Sequence, residues 1–339
     1  APILETSWAS PIGMVIMLLA VAAYWFRWGP IEGLEYRFYD FGANLRAKTS
    51  TAPLAIVAID DISIAKMGRW PWPRSYIAEM IDTLKNYDAK VIGVNLLYSE
   101  SDANQGLWEV QDIIKKLEGE TGQLKNKQFG EIYDALKEAE KRLDNDAALS
   151  SSIEASKKVV LPFFFTLSSM PVRDEVKLPE YLKNNSISVT SPDHFLGARE
   201  IIPPIAAFAS HTAAMGHINV VHDSDRAVRG EPLFVNFGNR LFPSFGMQLA
   251  LRYLNYDLKD ATISNSIRVK NITIPTYGKN TMLISFNKGF PVYSFVDIID
   301  NKVPGVQFKN RIVIIAPHAT GMGTTFITPM GPNIPSWVL

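Results

Sequence analysis

Thr6 to Phe26 form a run of twenty-one residues, TSWASPIGMVIMLLAVAAYWF, without one charged side chain. In helical form a run of that length reaches about 30 Å, the thickness of a bilayer's hydrocarbon core. Backbone polar groups find no water in lipid, so a lone segment there satisfies them only as a helix. The run therefore reads as a single transmembrane helix over 7–28, with 1–10 a short amino-terminal segment and 29–339 a folded body. Trp8 at one end, and Tyr24, Trp25 and Trp28 at the other, suit the headgroup zones, and Pro11 falls near the helix start. The competing reading is a buried helix of a soluble protein, where so long an unpatterned apolar run is rare.

The flanking charges leave the orientation open. Arg27, Arg37, Arg46 and Lys48 follow the run, which by the positive-inside tendency puts the body in the cytoplasm, but Glu32, Glu35 and Asp40 lie among them. The chain begins with Ala1, which suggests a processed or trimmed end with residues before it. Thirty-four basic residues balance thirty-four acidic ones, so no global field draws the protein to nucleic acid. With no cysteine, disulfides, thiolate zinc sites and cysteine nucleophiles are excluded.

The body opens on APLAIVAIDD, a run ending at Asp60 and Asp61 that reads as a buried strand. Ile77, Met80, Ile81 and Leu84 follow at helical spacing, and AKVIGVNLLYSE reads as a second strand. Strand, helix and strand at this spacing make a parallel crossover. Between Asn104 and Asp146, ten acids and seven bases surround two apolar stripes, Leu107, Val110, Ile114, Leu117 and Ile132, Leu136, Ala139, Leu143. Gly119, Gly122 and Gly130 punctuate this interval, so it reads as an inserted helical hairpin. Beyond Ile201, short runs such as MGHINVV and EPLFVNF resemble antiparallel strands. GHINVVHDSDRAVRGEP reads as a strand, a turn shaped by Asp223 and Asp225, and a return strand. The expected fold class is α/β, mixed α+β, with a central mixed sheet flanked by helices and the hairpin at 104–146.

In an open α/β sheet, ligands bind outside the carboxyl ends of the strands. Asp60 and Asp61 close the first strand, Asn95 lies near the end of the second, and Glu100 follows it. Arg74, just beyond the bend GRWPWPRS, is placed to pair with Asp60 or Asp61. Asp60, Asp61, Arg74, Asn95 and Glu100 are thus the candidate ligand-binding residues. The plainer alternative is that Asp61 caps the helix ISIAKMG and the others make turn hydrogen bonds. The bend itself reads as a stiff plug, Gly68 ending one helix and Trp-Pro alternation pinning the next, with an aromatic binding platform as the alternative. His194, His211, His217, His222 and His318 show no metal-binding spacing, and no phosphate loop, dinucleotide fingerprint or nucleophile elbow occurs. No catalytic, cofactor or metal residues are expected.

Several segments in order carry a resemblance: LEYRFYDFGANLRA, IVAIDDISIAKMGRWPWPRSYIAEMIDTL, AKVIGVNLLYSE, DNDAALSSSIEASKKVVLP, GHINVVHDSDRAVRGEPLFV, PSFGMQLALRYL and KNRIVIIAPHATGMGTTFITPMG. Together they resemble the second type of CHASE domain, the cyclases/histidine-kinases-associated sensory extracellular domain, across nearly all of 34–331. The resemblance implies a sensory body on the periplasmic side of a bacterial inner membrane, with further membrane helices and a cytoplasmic output domain beyond Leu339. It implies a small-molecule ligand or protein partners without naming them, and no activity of this chain. Asn95 stands where the family usually has an aspartate, and Pro317, His318 and Thr324 depart from its closing pattern, which implies a sensing pocket altered or lost. An accessory subunit of a membrane complex, using the same fold as a tethered scaffold, is the second expectation. A pilin-like subunit, suggested by Glu5 before the apolar run, and an extracytoplasmic enzyme are more remote ones.

Overall fold

The computed structural model describes residues 9–25, 29–47, 50–119, 127–172, 176–190, 192–263, 266–287 and 289–336. The uncharged run is helical over Ala9–Trp25 (α1), seventeen residues, and a second helix, Gly29–Arg46 (α2), follows. No helix among the described residues is long and apolar enough to cross a membrane. Trp8 and Trp28, at the ends of the expected 7–28 span, lie outside the described residues. Ile12, Met14, Val15, Ile16, Met17, Leu18, Leu19 and Val21 are all between 51% and 64% exposed, so α1 has no polar face and no protein cover there.

The centre of the body is a mixed sheet of ten strands. Leu54–Ile59 (β1) runs parallel to Ile312–Pro317, which runs parallel to Val91–Val94 (β2), which runs parallel to Val159–Leu167 (β3). β1 and β2 are therefore joined by a parallel crossover, but Ile312–Pro317, from near the end of the chain, lies between them. On its outer side β1 pairs with Val292–Ser294. β3 forks: its first half is parallel to Ala214–His217, and its second half is antiparallel to Leu196–Ile202. The MGH stretch is thus a parallel strand, correcting the antiparallel reading. A local apolar pattern does not reveal strand direction; here it follows from pairing with a strand about fifty residues earlier.

β1 is buried on both faces, which is why its sequence is continuously apolar. Ala55, Val57 and Ile59 face a core shared with helices Arg74–Asn86 (α4) and Asn145–Ser156 (α7), while Ile56 faces Phe245 and Leu249 of the helix Phe245–Leu254. The short helix Asp61–Met67 (α3) precedes α4. Full burial of Ile56, Val57 and Ile59 contributes about 2 kcal/mol apiece. Gly216 permits a close helix-on-sheet approach, because a β-carbon there would lie 2.5 Å from the Ser244 carbonyl oxygen.

Within the 104–146 interval lie two helices, Gln105–Gly119 (α5) and Lys127–Leu143 (α6), and the Asn104 side chain donates to the Leu143 carbonyl. Gly130 lies inside α6 and does not punctuate it. Ile132 is 53% exposed and Tyr133 takes its place in the stripe, its hydroxyl donating to Glu118. Helix phase set by Leu136 and Leu143 places position 133 inward and 132 outward.

Candidate functional site

The carboxyl edge of the sheet is built by β1, β2 and the strand between them. Asp60 follows β1 with extended backbone, and its Oδ1 accepts from the Ser63 amide (2.9 Å) and the hydroxyls of Ser63 and Ser294. Asp60, not Asp61, is therefore the helix cap: the capping side chain must come from the last non-helical residue, and Asp61 is already the first helical one. Asp61 instead reaches the turn after Ile312–Pro317, its two carboxylate oxygens accepting from the amide and hydroxyl of Thr320, both at 3.0 Å. These bonds tie two chain segments 259 residues apart into one edge.

Arg74 does not meet either acid. Its guanidinium pairs with Asp146 at the start of α7 and donates to the Glu100 carbonyl, lying 5.1 Å from the Tyr98 ring centroid and 5.4 Å from that of Phe208. Asp146 also accepts from the Asp102 amide, and Asp102 from the Asn145 side chain. The result is a polar hub that staples the loop after β2 to α4 and α7. Beneath it the Tyr98 hydroxyl is buried without a hydrogen-bond partner among the described residues, and burial raises its pKa. The structure thus divides the five candidates: Asp60 and Asp61 at one place, Arg74 and the Glu100 backbone at another. Asn95 follows β2 directly, its amide donating to Ile315. The side chains of Asn95 and Glu100 make no hydrogen bond to other described residues.

GRWPWPRS is a packed plug. Trp72 is 6% exposed, its indole N–H donates to the Gly68 carbonyl (2.7 Å), and its ring meets Trp70, Tyr76 and Phe295 at 5.4, 6.0 and 5.1 Å. Gly68 ends α3 at φ 102°, a backbone region that favours glycine. No group of three or more histidine, aspartate or glutamate side chains among the described residues is placed to hold a metal ion. His217 is 1% exposed and burial lowers its pKa to about 3, so it is neutral; Nδ1 accepts from the Asn219 amide.

The most connected charged side chain among the described residues escapes sequence reading. Arg229, 4% exposed at its side chain, donates Nε–H and Nη2–H to the two oxygens of Asp40 (2.8 Å each). It also donates to Asp223 (2.9 Å) and to both oxygens of Asp225 (2.9 and 2.8 Å). All five of its donors are used. Tyr36 lies under the guanidinium at 4.3 Å. Burial alone would lower the pKa of Arg229; its hydrogen bonds to Asp225, Asp40 and Asp223 outweigh that and raise it, while the hydrogen bond from Arg229 lowers that of Asp225. Asp223 and Asp225 do shape a turn, Asp225 accepting from the Ala227 amide, but their carboxylates also anchor this cation. Asp40 and Tyr36 belong to α2, so the helix after the uncharged run is locked to the body. Asn44, one turn on, donates to the Pro329 carbonyl at 2.6 Å.

A family model described as the CHASE2 domain matches residues 15–339. No curated protein and no solved structure matches. The sheet with α2, α4, α7, the Phe245–Leu254 helix and the Trp72 plug carries segments on which the sequence resemblance rests, and the match covers nearly the whole chain. The chain belongs to the CHASE2 domain family, a family of extracellular sensory domains.

Proposed function

We propose that this chain is a non-catalytic sensory domain held at the periplasmic face of a bacterial inner membrane by the uncharged run, and that α2 carries its signal. The single observation that carries the reading is the Arg229 lock. A buried guanidinium that spends two of its five donors on Asp40 of α2, and the rest on the Asp223–Asp225 turn, couples a body movement to the helix next to the run. A helix free to slide would transmit nothing. The apolar side chains exposed on several sides of α1 support burial in lipid, with Trp25, 80% exposed, at its end.

The ligand crevice is proposed at the carboxyl edge. Asp60 and Asp61 build its wall through Ser294 and Thr320, Arg74 is held apart by Asp146, and Asn95 and Glu100, whose side chains make no hydrogen bond to other described residues, are the proposed ligand contacts. No cofactor or metal is proposed, nor any contact with nucleic acid.

A second reading, an accessory subunit of a membrane complex, is favoured by one observation. Leu34, Phe38, Phe41 and Leu45 of α2 are 54%, 75%, 65% and 72% exposed, at the four-three-four spacing of a helix-pairing seam. Trp108 on the hairpin is also exposed, at 55%.

The native absence of cysteine makes a direct test available. Lys309→Cys, at an exposed position, should react with a membrane-impermeant maleimide in intact spheroplasts as fully as in lysed ones. Labelling only after lysis would refute the periplasmic assignment. Capture of a stoichiometric partner from mild detergent, lost on Phe38→Ser, would favour the accessory reading.

A further inference from the structure

At the amino edge of the sheet, opposite the proposed crevice, lies a concavity of about 380 Å³. Its charge is distinctive. Lys90 directly precedes β2, Lys158 directly precedes β3, Lys157 caps α7 with φ 54°, and Arg252 lies in the last turn of the Phe245–Leu254 helix; all four line the concavity. β2 and β3 are parallel with Ile92 opposite Val159, so chain direction alone delivers Lys90 and Lys158 to the same edge. Among the described residues none of the four cations has an ion-pair partner, and Lys90 rests its ammonium 4.7 Å over the Tyr253 ring. Lysines elsewhere do pair, Lys302 with Asp297 and Lys309 with Asp88 for example.

Two structural uses of these charges can be subtracted. The carboxyl ends of α7 and of the Phe245–Leu254 helix both lie at the concavity, each equivalent to about half a negative charge. One carboxylate, Asp257, also lines it and is held by the Lys259 amide. Four cations less these leave about two positive charges facing solvent in a concave site. Asn255, with φ 56°, adds an amide at the rim. That excess, with ammonium and guanidinium donors converging, matches a dianionic oxyanion.

We propose that this concavity binds a phosphate group, either of free phosphate or of a phosphomonoester lipid headgroup. The site stands apart from the crevice edge and does not rest on the sensory reading. The test is calorimetric titration of the full chain in a non-ionic detergent with inorganic phosphate. Saturable one-to-one binding is expected, weakened about tenfold by Arg252→Gln and about a hundredfold by K90Q/K158Q, with Lys309→Gln unchanged. Arg252 is exposed on a helix, so that variant decides the matter even where the lysine pair disturbs the strands. In a second arm the chain is floated with vesicles of phosphatidylcholine with or without phosphatidic acid. Flotation that needs phosphatidic acid and is lost in R252Q, without binding of inorganic phosphate, assigns the lipid headgroup. Binding to neither probe, or equal binding by wild type and R252Q, overturns the proposal.

Discussion

Replacing Arg229 by methionine keeps an unbranched apolar stem and removes the charge and all five donors. The side chain is 4% exposed, and the substitution strands Asp40, Asp223 and Asp225, which are 31%, 25% and 41% exposed. Breaking a buried ion pair from one side costs about 3–5 kcal/mol, and water can reach these three carboxylates, so the lower end, about 3 kcal/mol, applies. With an unfolding entropy of about 2.1 cal/mol/K per residue, the 339-residue chain should melt about 4 °C lower. The lock also has a pH signature. Arg229 holds the pKa of Asp225 down, so its stabilisation is complete above the ordinary carboxylate value of about 4 and is lost as pH falls through the lower folded value. The difference between wild type and Arg229→Met should be full at pH 7 and shrink below about pH 4. Arg229→Lys, with three donors and no planar fork, should fall between the two. Circular dichroism melts in detergent, with Arg226→Met on the same turn as the exposed control, provide the comparison. A drop under 1 °C, or an equal drop in the control, would refute the lock.

Trp72→Ala should cost about 3–5 kcal/mol in urea unfolding, since it empties a packed aromatic site and leaves the Gly68 carbonyl unbonded; a loss under 1 kcal/mol would sink the plug reading. Asp60→Ala should destabilise by about 1–2 kcal/mol through loss of the cap and of its bonds to Ser63 and Ser294. Asp61→Ala, which loses only an exposed tie to Thr320, should cost clearly less, and the reverse order would restore Asp61 as the cap. His217 is neutral in the fold with its pKa lowered to about 3, against about 6.5 unfolded. Protons therefore favour the unfolded chain below pH 6.5, and stability should fall by about 2 kcal/mol between pH 8 and pH 5 through this residue. His217→Gln should flatten that stretch of the profile, and an unchanged slope would count against it.

What could be read from the residues follows what local sequence encodes. β1 was legible because burial on both faces leaves an unbroken apolar run, and α4 because Ile77, Met80, Ile81 and Leu84 recur at its period. The plug was legible because Gly68 and the two prolines fix the backbone through their own covalent geometry. Pairing across long separations was not: nothing near β1 or β2 says that Ile312–Pro317 will lie between them. Arg74 was assigned to the wrong acids for the same reason, its partner Asp146 lying 72 residues on, across the hairpin. Asp60 and Asp61 are chemically identical, and only the backbone dihedrals decide which caps. Signals of the Arg229 lock were present in DSDRAVR and in the aspartate of LEYRFYD, but only folding brings the two segments together. Balanced totals of charge likewise hid the cluster at Lys90, Lys158 and Arg252, because a sum carries no position.

The central claim is that α2 moves as one piece with the sensory body. Spin labels at Glu35→Cys on α2 and Val306→Cys on the body, both exposed, can report this by pulsed dipolar spectroscopy on the full chain in lipid nanodiscs. The account predicts one narrow distance distribution that broadens when Arg229→Met is added. A broad distribution in the unaltered chain, or a narrow one that the substitution leaves untouched, would contradict it.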